Sequence, residues 1–222
     1  METSRKNGTR LFHIQQTKMR NIQILMLFLS VMFYEVRTLA NDLIHVDGIC
    51  YAINKSEKTA EVTMTGNYDG DVIIPSSFTI QEKDGDKTYG GKYLVKGIGM
   101  EAFTHCWNLT SITIPNSVTY IGEKAFFCCE SLTSVTMSNS VTNIGKSAFE
   151  SCHSLTSITI PNSVTYIGEC AFYACESLTS ITIPNSVTSI EGFTFYGCNK
   201  LNSISISNSV KSIGQFAFKS CI

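Results

Sequence analysis

Nine cysteines and four histidines are the residues through which this 222-residue chain could do chemistry. Three chemistries come into question: zinc ligation, disulfide bonding and nucleophilic catalysis. His105, Cys106, Cys128, Cys129, Cys152 and His153 pair soft sulfur with imidazole nitrogen, a zinc-type ligand set, but their spacing matches no zinc motif. For catalysis the chain offers little. Only His45, His105 and His153 follow residue 40, Glu123 and Glu169 recur as solvated carboxylates, and no glycine-rich phosphate loop is present. A serine that returns in every unit is read as structural. The expectation is therefore no enzyme, no cofactor and no metal.

What positions these residues is a repeat. The stretch LTSITIPNSVTYIGEKAFFCCES at 109–131 is followed by LTSVTMSNSVTNIGKSAFESCHS and then LTSITIPNSVTYIGECAFYACES, and the units begin at Leu109, Leu132, Leu155, Leu178 and Leu201. A partial unit, YLVKGIGMEAFTHCWN, precedes them in the same register. A fixed 23-residue period predicts a solenoid in which each unit is one coil stacked on its neighbours. Within a unit, Ile112 and Ile114 alternate with Ser111 and Thr113, the period of two of a half-buried strand. Asn116-Ser117 then reads as a turn, Val118 and Ile121 point inward in a short extended piece, and Ala125, Phe126 and Cys129 suit one helical turn. The fold class expected is thus a strand-dominated α/β leucine-rich solenoid of strand, turn, short extended piece and helical turn.

Stacking places identical residues about 4.8 Å apart. Phe103, Phe126, Phe149, Phe172, Phe195 and Phe218 then form one internal ladder, and Cys106, Cys129, Cys152, Cys175, Cys198 and Cys221 another. Parallel Cβ vectors at that spacing do not suit a disulfide, which needs roughly 3.5–4.5 Å between Cβ atoms turned toward each other. Free thiols packed as small hydrophobes are expected, with Cys128 and Cys170 off the ladder and Cys50 in the leading segment. The drifting positions Tyr120, Asn143, Tyr166, Ser189 and Ser212 are expected to face water.

The units LTSITIPNSVTYIGEKAFFCCES and LTSITIPNSVTSIEGFTFYGCNK resemble the BspA-type leucine-rich repeat, from about residue 95 to the C-terminus. That resemblance implies a curved solenoid on secreted or surface proteins of bacteria and some protozoa. It also implies roles in adhesion to host extracellular proteins, in contacts between cells, or as surface antigens. The chain departs from the pattern at Ser138 and Ser207, which replace proline, at Glu191-Gly192, which shifts the glycine by one, and at Thr194 in place of alanine. These are expected to loosen a turn and leave the coil intact.

The segments flanking the repeat complete the reading. Residues 22–34, IQILMLFLSVMFY, follow Lys18 and Arg20 and precede Thr38-Leu39-Ala40. Thirteen residues span only about 20 Å as a helix, against roughly 30 Å of hydrocarbon, so a secretory signal is favoured over an uncleaved anchor. Residues 1–40 are read as extension and signal, with Met1 or Met19 as the start and Asn41 as the mature terminus. Residues 41–94, in which GICYAI and TAEVTMT read as strands and EKDGDKTYGGK as a hairpin tip, are expected to form a β-rich cap ahead of the solenoid at 95–222. From Asn41 onward there are 11 lysines, no arginine and 16 acidic residues, which excludes a nucleic-acid footprint. The chain stops inside a coil at Cys221-Ile222, so it is read either as a fragment or as pairing end to end.

Function is expected on the outward side of the strands: Ser111, Thr113, Pro115, Ser134, Thr136, Ser138, Ser157, Thr159, Pro161, Ser180, Thr182, Pro184, Ser203, Ser205 and Ser207. This surface reads as a plain soluble sheet face or as an array on which an extracellular protein docks. It carries no aromatic or arginine anchors. Tyr120, Tyr166, Tyr173 and Phe127 supply aromatic contacts on another face, where a glycan would be the alternative ligand. The function expected is an adhesin-like, secreted or cell-surface scaffold; the alternative is a glycan-binding component of nutrient capture.

Overall fold

A computed structural model describes residues 42–64, 66–84 and 87–221. The signal segment, both candidate starts, Asn41 and Ile222 lie outside those residues. The leading part is antiparallel. β1 (Asp42–Val46) and β2 (Ile49–Asn54) are joined by Asp47-Gly48, both at positive φ, which gives the hairpin the twist its strands need. Next, β3 (Thr59–Val62) pairs β2, with Asn54 Oδ1 accepting the Ser56 and Glu57 N–H groups in the connecting turn. Beyond β4 (Gly70–Ile73), β5 (Ser77–Asp84) and β6 (Lys87–Ile98) pair antiparallel along their length, and most of the polar stretch expected as a tip lies within these strands, its residues 85–86 outside the described ones.

From β6 onward every pairing is parallel. The coils contribute β7 (Leu109–Thr113), β8 (Tyr120–Ile121), β9 (Ser134–Thr136), β10 (Asn143–Ile144), β11 (Tyr166–Ile167), β12 (Ser180–Ile183), β13 (Ser189–Ile190), β14 (Ser203–Ile206) and β15 (Ser212–Ile213). Partners lie one repeat apart without slippage, as in Ser111 with Ser134, Tyr120 with Asn143 and Ser180 with Ser203. One side carries β4-β7-β9 and then β12-β14; a second carries β1-β2-β3-β6-β8-β10-β11 and then β13-β15.

Each side is interrupted once. On the first, residues 155–161 keep only a single bridge, Ser157 to Ser180, and the coil before the gap is the one holding Val135, Met137 and Ser138. On the second, β11 and β13 do not pair. Here the cause is legible. Where Gly122 and Gly145 stand, an added Cβ would lie 2.7 and 2.6 Å from the carbonyl carbons of Gly99 and Gly122, so successive coils touch backbone to backbone. Glu191 occupies the next-but-one such slot after Gly145, and it has a Cβ. Gly122, Gly145, Gly168 and Gly214 each donate N–H to the preceding coil; among the described residues Glu191 has no such bond. Elsewhere that coil keeps its shape. Thr194, fully buried in the alanine slot, donates its hydroxyl to Glu191 O at 2.7 Å.

The third side corrects the expected helical turn: no helix occurs among the described residues. Lys124 and Cys128 adopt left-handed φ of 52° and 56°, and the same two slots do so in every coil, from Glu101 and His105 to Phe216 and Ser220. Left-handed backbone costs a residue with a Cβ roughly 1–2 kcal/mol. Hydrogen bonding offsets that cost. Lys124, Phe126 and Cys128 N–H donate to Lys146, Ala148 and Glu150 of the next coil at 2.8–2.9 Å, while Phe127 and Cys129 N–H turn back three residues within their own coil. An α-helix would send all of these inward and leave the coils untied.

Inside, Phe103, Phe126, Phe149, Phe172 and Phe195 are fully buried. Adjacent rings are near-parallel, 1–6° apart, with centroids at 5.0–5.5 Å. Tyr68 tilts over Phe103 at 4.8 Å and closes that end of the stack. Phe218 stacks on Phe195 at 5.4 Å but is only partly buried. All nine cysteines are free, and the ladder thiols do more than fill space. Cys129, Cys152, Cys175, Cys198 and Cys221 donate S–H to Phe103, Phe126, Phe149, Phe172 and Phe195 carbonyls at 3.1–3.2 Å.

Candidate functional site

The strand side facing away from the core presents two rows of hydroxyls. One row runs Ser111, Ser134, Ser157, Ser180 and Ser203; the other runs Thr113, Thr136, Thr159, Thr182 and Ser205. All are exposed except Ser111, which is half-buried. Alternation explains the rows: Ile112, Ile158 and Ile181, between the hydroxyls, are buried. The alternation ends at the strand exit. Pro161 and Pro184, expected on this face, are buried together with the preceding Ile160 and Ile183; Pro115, Ser138 and Ser207 are half-buried.

Where residues 155–161 lose their neighbours, the face is indented. The groove measures 490 Å³ and is lined chiefly by Asn139, Ser157, Thr159, Asn162, Ser180 and Thr182. No charged or aromatic side chain lines it, so its chemistry is neutral hydrogen bonding by hydroxyls and amides.

Both rows extend beyond the repeat. β4 pairs in parallel with β7, Asp71 opposite Ser111 and Ile73 opposite Thr113. Asp71 Oδ1 accepts the Thr110 and Ser111 hydroxyls at 2.8 and 2.6 Å. Those bonds, Ser111's first, hold its carboxyl below the ordinary carboxylate range. Ile73 is 73% exposed, the most exposed large apolar side chain among the described residues. Sequence reasoning takes DVIIPSSF as a variant coil exit but places neither residue in the rows. The signal was present in Asp71-Val72-Ile73-Ile74-Pro75, which matches Ser111-Ile112-Thr113-Ile114-Pro115, but at an offset of 40 rather than 23.

The aromatic positions do not make one face. Tyr120, expected in water, is half-buried: its ring lies over Gly97, where a Cβ would meet it, and its hydroxyl bonds Glu61. Asn143 and Ser189 are half-buried, while Tyr166 and Ser212 are exposed. Phe127 sits edge-on to His105 at 5.5 Å, and His105 also contacts the exposed Trp107. Tyr173 stacks on Tyr196 at 5.0 Å on the turn side, beside Phe193 and the exposed Phe216, with Lys219 Nζ 4.8 Å from the Phe216 ring. Of this aromatic cluster, near the last coil, the sequence reading named Tyr173 alone.

Among the described residues, no three His, Cys, Asp or Glu side chains are grouped as a metal-holding set. Burial pushes the Cys152 and Cys175 thiols well above their ordinary range and Cys198 up to about 12. Cys128 and Cys170 are half-buried, off the ladder.

Against known proteins, the BspA type leucine rich repeat region matches residues 96–222 in six copies. No curated protein matches the chain. Among solved structures, the chain is 32% identical to a leucine rich cell surface protein from Faecalibacterium prausnitzii, with a TM-score of 0.66 over 83% of this chain and 53% of that one. A leucine-rich repeat protein from Bacteroides ovatus is 28% identical, with a TM-score of 0.51 over 80% of this chain and 57% of that one. A T. pallidum leucine rich repeat protein, 24% identical with a TM-score of 0.55 over 78% and 86% of the two chains, shows likeness of fold alone. The chain spans little more than half the length of the first two.

Proposed function

Because the chain belongs to the BspA-type leucine-rich repeat family, we propose that it serves as a non-enzymatic surface interaction protein. In this reading it is exported through residues 1–40, residues 41–94 cap a solenoid at 95–222, and an extracellular protein docks on the sheet face in an adhesin-like role. The observation that carries the reading is the pair of hydroxyl rows, exposed along the coils while their inward neighbours are buried, with a 490 Å³ groove between them. Likeness to a protein described as a cell surface protein supports the location. The test is binding of the full chain to immobilised matrix proteins and to a polysaccharide panel, with the double variant Thr159→Lys, Thr182→Lys as the face-blocked control. Protein binding lost in the variant is expected; protein binding unaffected by it refutes the face.

One observation favours the glycan alternative: the exposed Phe216 beside the stacked Tyr173 and Tyr196 offers aromatic surface to sugar rings. Polysaccharide binding that survives the face-blocked variant and falls on Phe216→Ala assigns it. Self-association through the last coil, where Ile204, Ile206 and Ile213 are 39%, 38% and 55% exposed, belongs to the same proposal and is read by sedimentation velocity across concentrations.

A further inference from the structure

β4 is an edge. It lies at the end of the β4-β7-β9 sheet and pairs only β7. Ile74 N–H donates to Thr113 O and Gly70 N–H to Asn108 O, so alternate residues 70, 72 and 74 aim their main chain at β7. Asp71 and Ile73 aim theirs the other way, and among the described residues no main-chain partner meets them. Their side chains are both exposed on the outward face, two residues apart. An open strand edge is a template for another strand unless something blunts it. β4 carries neither lysine nor proline; it is short, and the bulge between Gly70 and Asp71 and the Asp71 charge restrict what it accepts rather than cover it.

We propose that this edge receives an extended segment of a partner protein by strand addition, and that Asp71 and Ile73 select a segment bearing a cationic side chain and an aliphatic one two residues apart. A strand added here takes the main-chain groups of Asp71 and Ile73 as its own ladder partners. Its side chains directly opposite would sit about 4.5–5.5 Å from the carboxylate and from Ile73, where opposite charges and apolar pairs are favourable. Charge decides the class of occupant. Asp71 spends one oxygen, Oδ1, on Thr110 and Ser111, which leaves Oδ2 for a cation. A second copy of this chain is disfavoured because the antiparallel register that uses the whole edge sets each Asp71 opposite the apolar Ile73 of the other copy and gives the carboxylate no cation. The site is separate from the groove and stands whether or not the groove binds.

Two labelled probes test it, acetyl-Ser-Thr-Lys-Thr-Ile-Thr-Ser-amide and acetyl-Ser-Thr-Ile-Thr-Lys-Thr-Ser-amide, one for each strand direction, titrated into the full chain by fluorescence anisotropy. At least one binds, and its counterpart with Glu in place of Lys binds at least tenfold more weakly. Asp71→Lys reverses that preference. Ile73→Pro removes an edge N–H but no bond to β7, and abolishes binding while the thermal melt stays put. Should that variant misfold, N-methylation of the probe nitrogens that face β4 makes the same cut on the peptide side. Thr159→Lys with Thr182→Lys leaves probe binding unchanged, which separates this edge from the groove. The proposal is overturned if neither probe binds at millimolar concentration, if the Glu probe binds equally well, or if methylated probes bind as before. A dimer abolished by Ile73→Pro would assign the edge to a second copy and also overturn it.

Discussion

Gly145→Ala and Gly192→Ala are the same substitution two coils apart, and they should behave oppositely. Neither glycine has positive φ, so what separates them is room. At Gly145 the new Cβ would lie 2.6 Å from Gly122 C and 2.7 Å from both Glu123 N and Gly122 O, all main-chain atoms of the preceding coil. Relief needs the coils to part by most of an ångström, which strains or breaks the 2.9 Å bond from Gly145 N–H to Ile121 O. Overpacking costs about 1–3 kcal/mol and the hydrogen bond about 1 more, so a loss of roughly 2–4 kcal/mol is expected. For a chain of this size that lowers Tm by about 4–16 °C, at 2–4 °C per kcal/mol. At Gly192 the nearest atom to the new Cβ is Gln215 O at 3.4 Å, ordinary contact. There the reduced freedom of the unfolded chain dominates, and a change between zero and a gain of about 1 kcal/mol is expected. Urea unfolding followed by circular dichroism measures both, with hydrogen exchange at residues 142–145 locating the damage. Equal destabilisation by the two substitutions would refute the claim that glycine is there for coil-to-coil contact.

Three further outcomes follow from the packing. Phe149→Ala, in the middle of the stack, should cost about 3–5 kcal/mol in denaturant unfolding as a cavity substitution; a cost below 1 kcal/mol would show the ring contributes little. Cys152→Ala removes the S–H bond to Phe126 O at 3.2 Å and should cost about 1–2 kcal/mol, while a thiol reagent applied to the native chain should label the half-buried Cys128, Cys170 and Cys221 first and the buried ladder cysteines only on unfolding. Because the Asp71 carboxyl titrates below its ordinary value of 3.8 in the fold, its contribution is present above that pH and is lost as pH falls through the folded value. Asp71→Asn should therefore flatten the acid limb of the stability profile below about pH 4 by removing that contribution at neutral pH, while stability in strong acid stays little changed.

The repeat made the fold legible because stacking demands that like meet like: a 23-residue beat with apolar residues in fixed slots has few other solutions. The short extended pieces and the strands at GICYAI and TAEVTMT were equally plain, since alternation is a local signal, whereas β1 and its Asp47-Gly48 turn went unread. Three more things were hidden, each for a stated reason. The left-handed slots hold Lys124, Cys128, Ser147 and Ser151 rather than glycine, so the usual marker of positive φ is missing and Ala-Phe-Cys spacing imitates a helix. Tyr120 depends on a glycine 23 residues earlier leaving space for its ring, which is a contact between coils and not a property of its own neighbourhood. Asp71 and Ile73 join the hydroxyl rows through a pairing with its own bulge and a longer intervening segment, so no period announces them.

The turn side alone is tied without interruption. From Glu101–Glu123 to Gly197–Lys219, three main-chain bonds cross every junction there, while each strand side has one junction at which its ladder stops. Mechanically the molecule is a bound book. The binding edge holds every page at fixed spacing, and the pages at 155–161 can fan apart on the open side without tearing it. Bending stiffness is thus set along one line, and parting the strands at the groove would cost few hydrogen bonds.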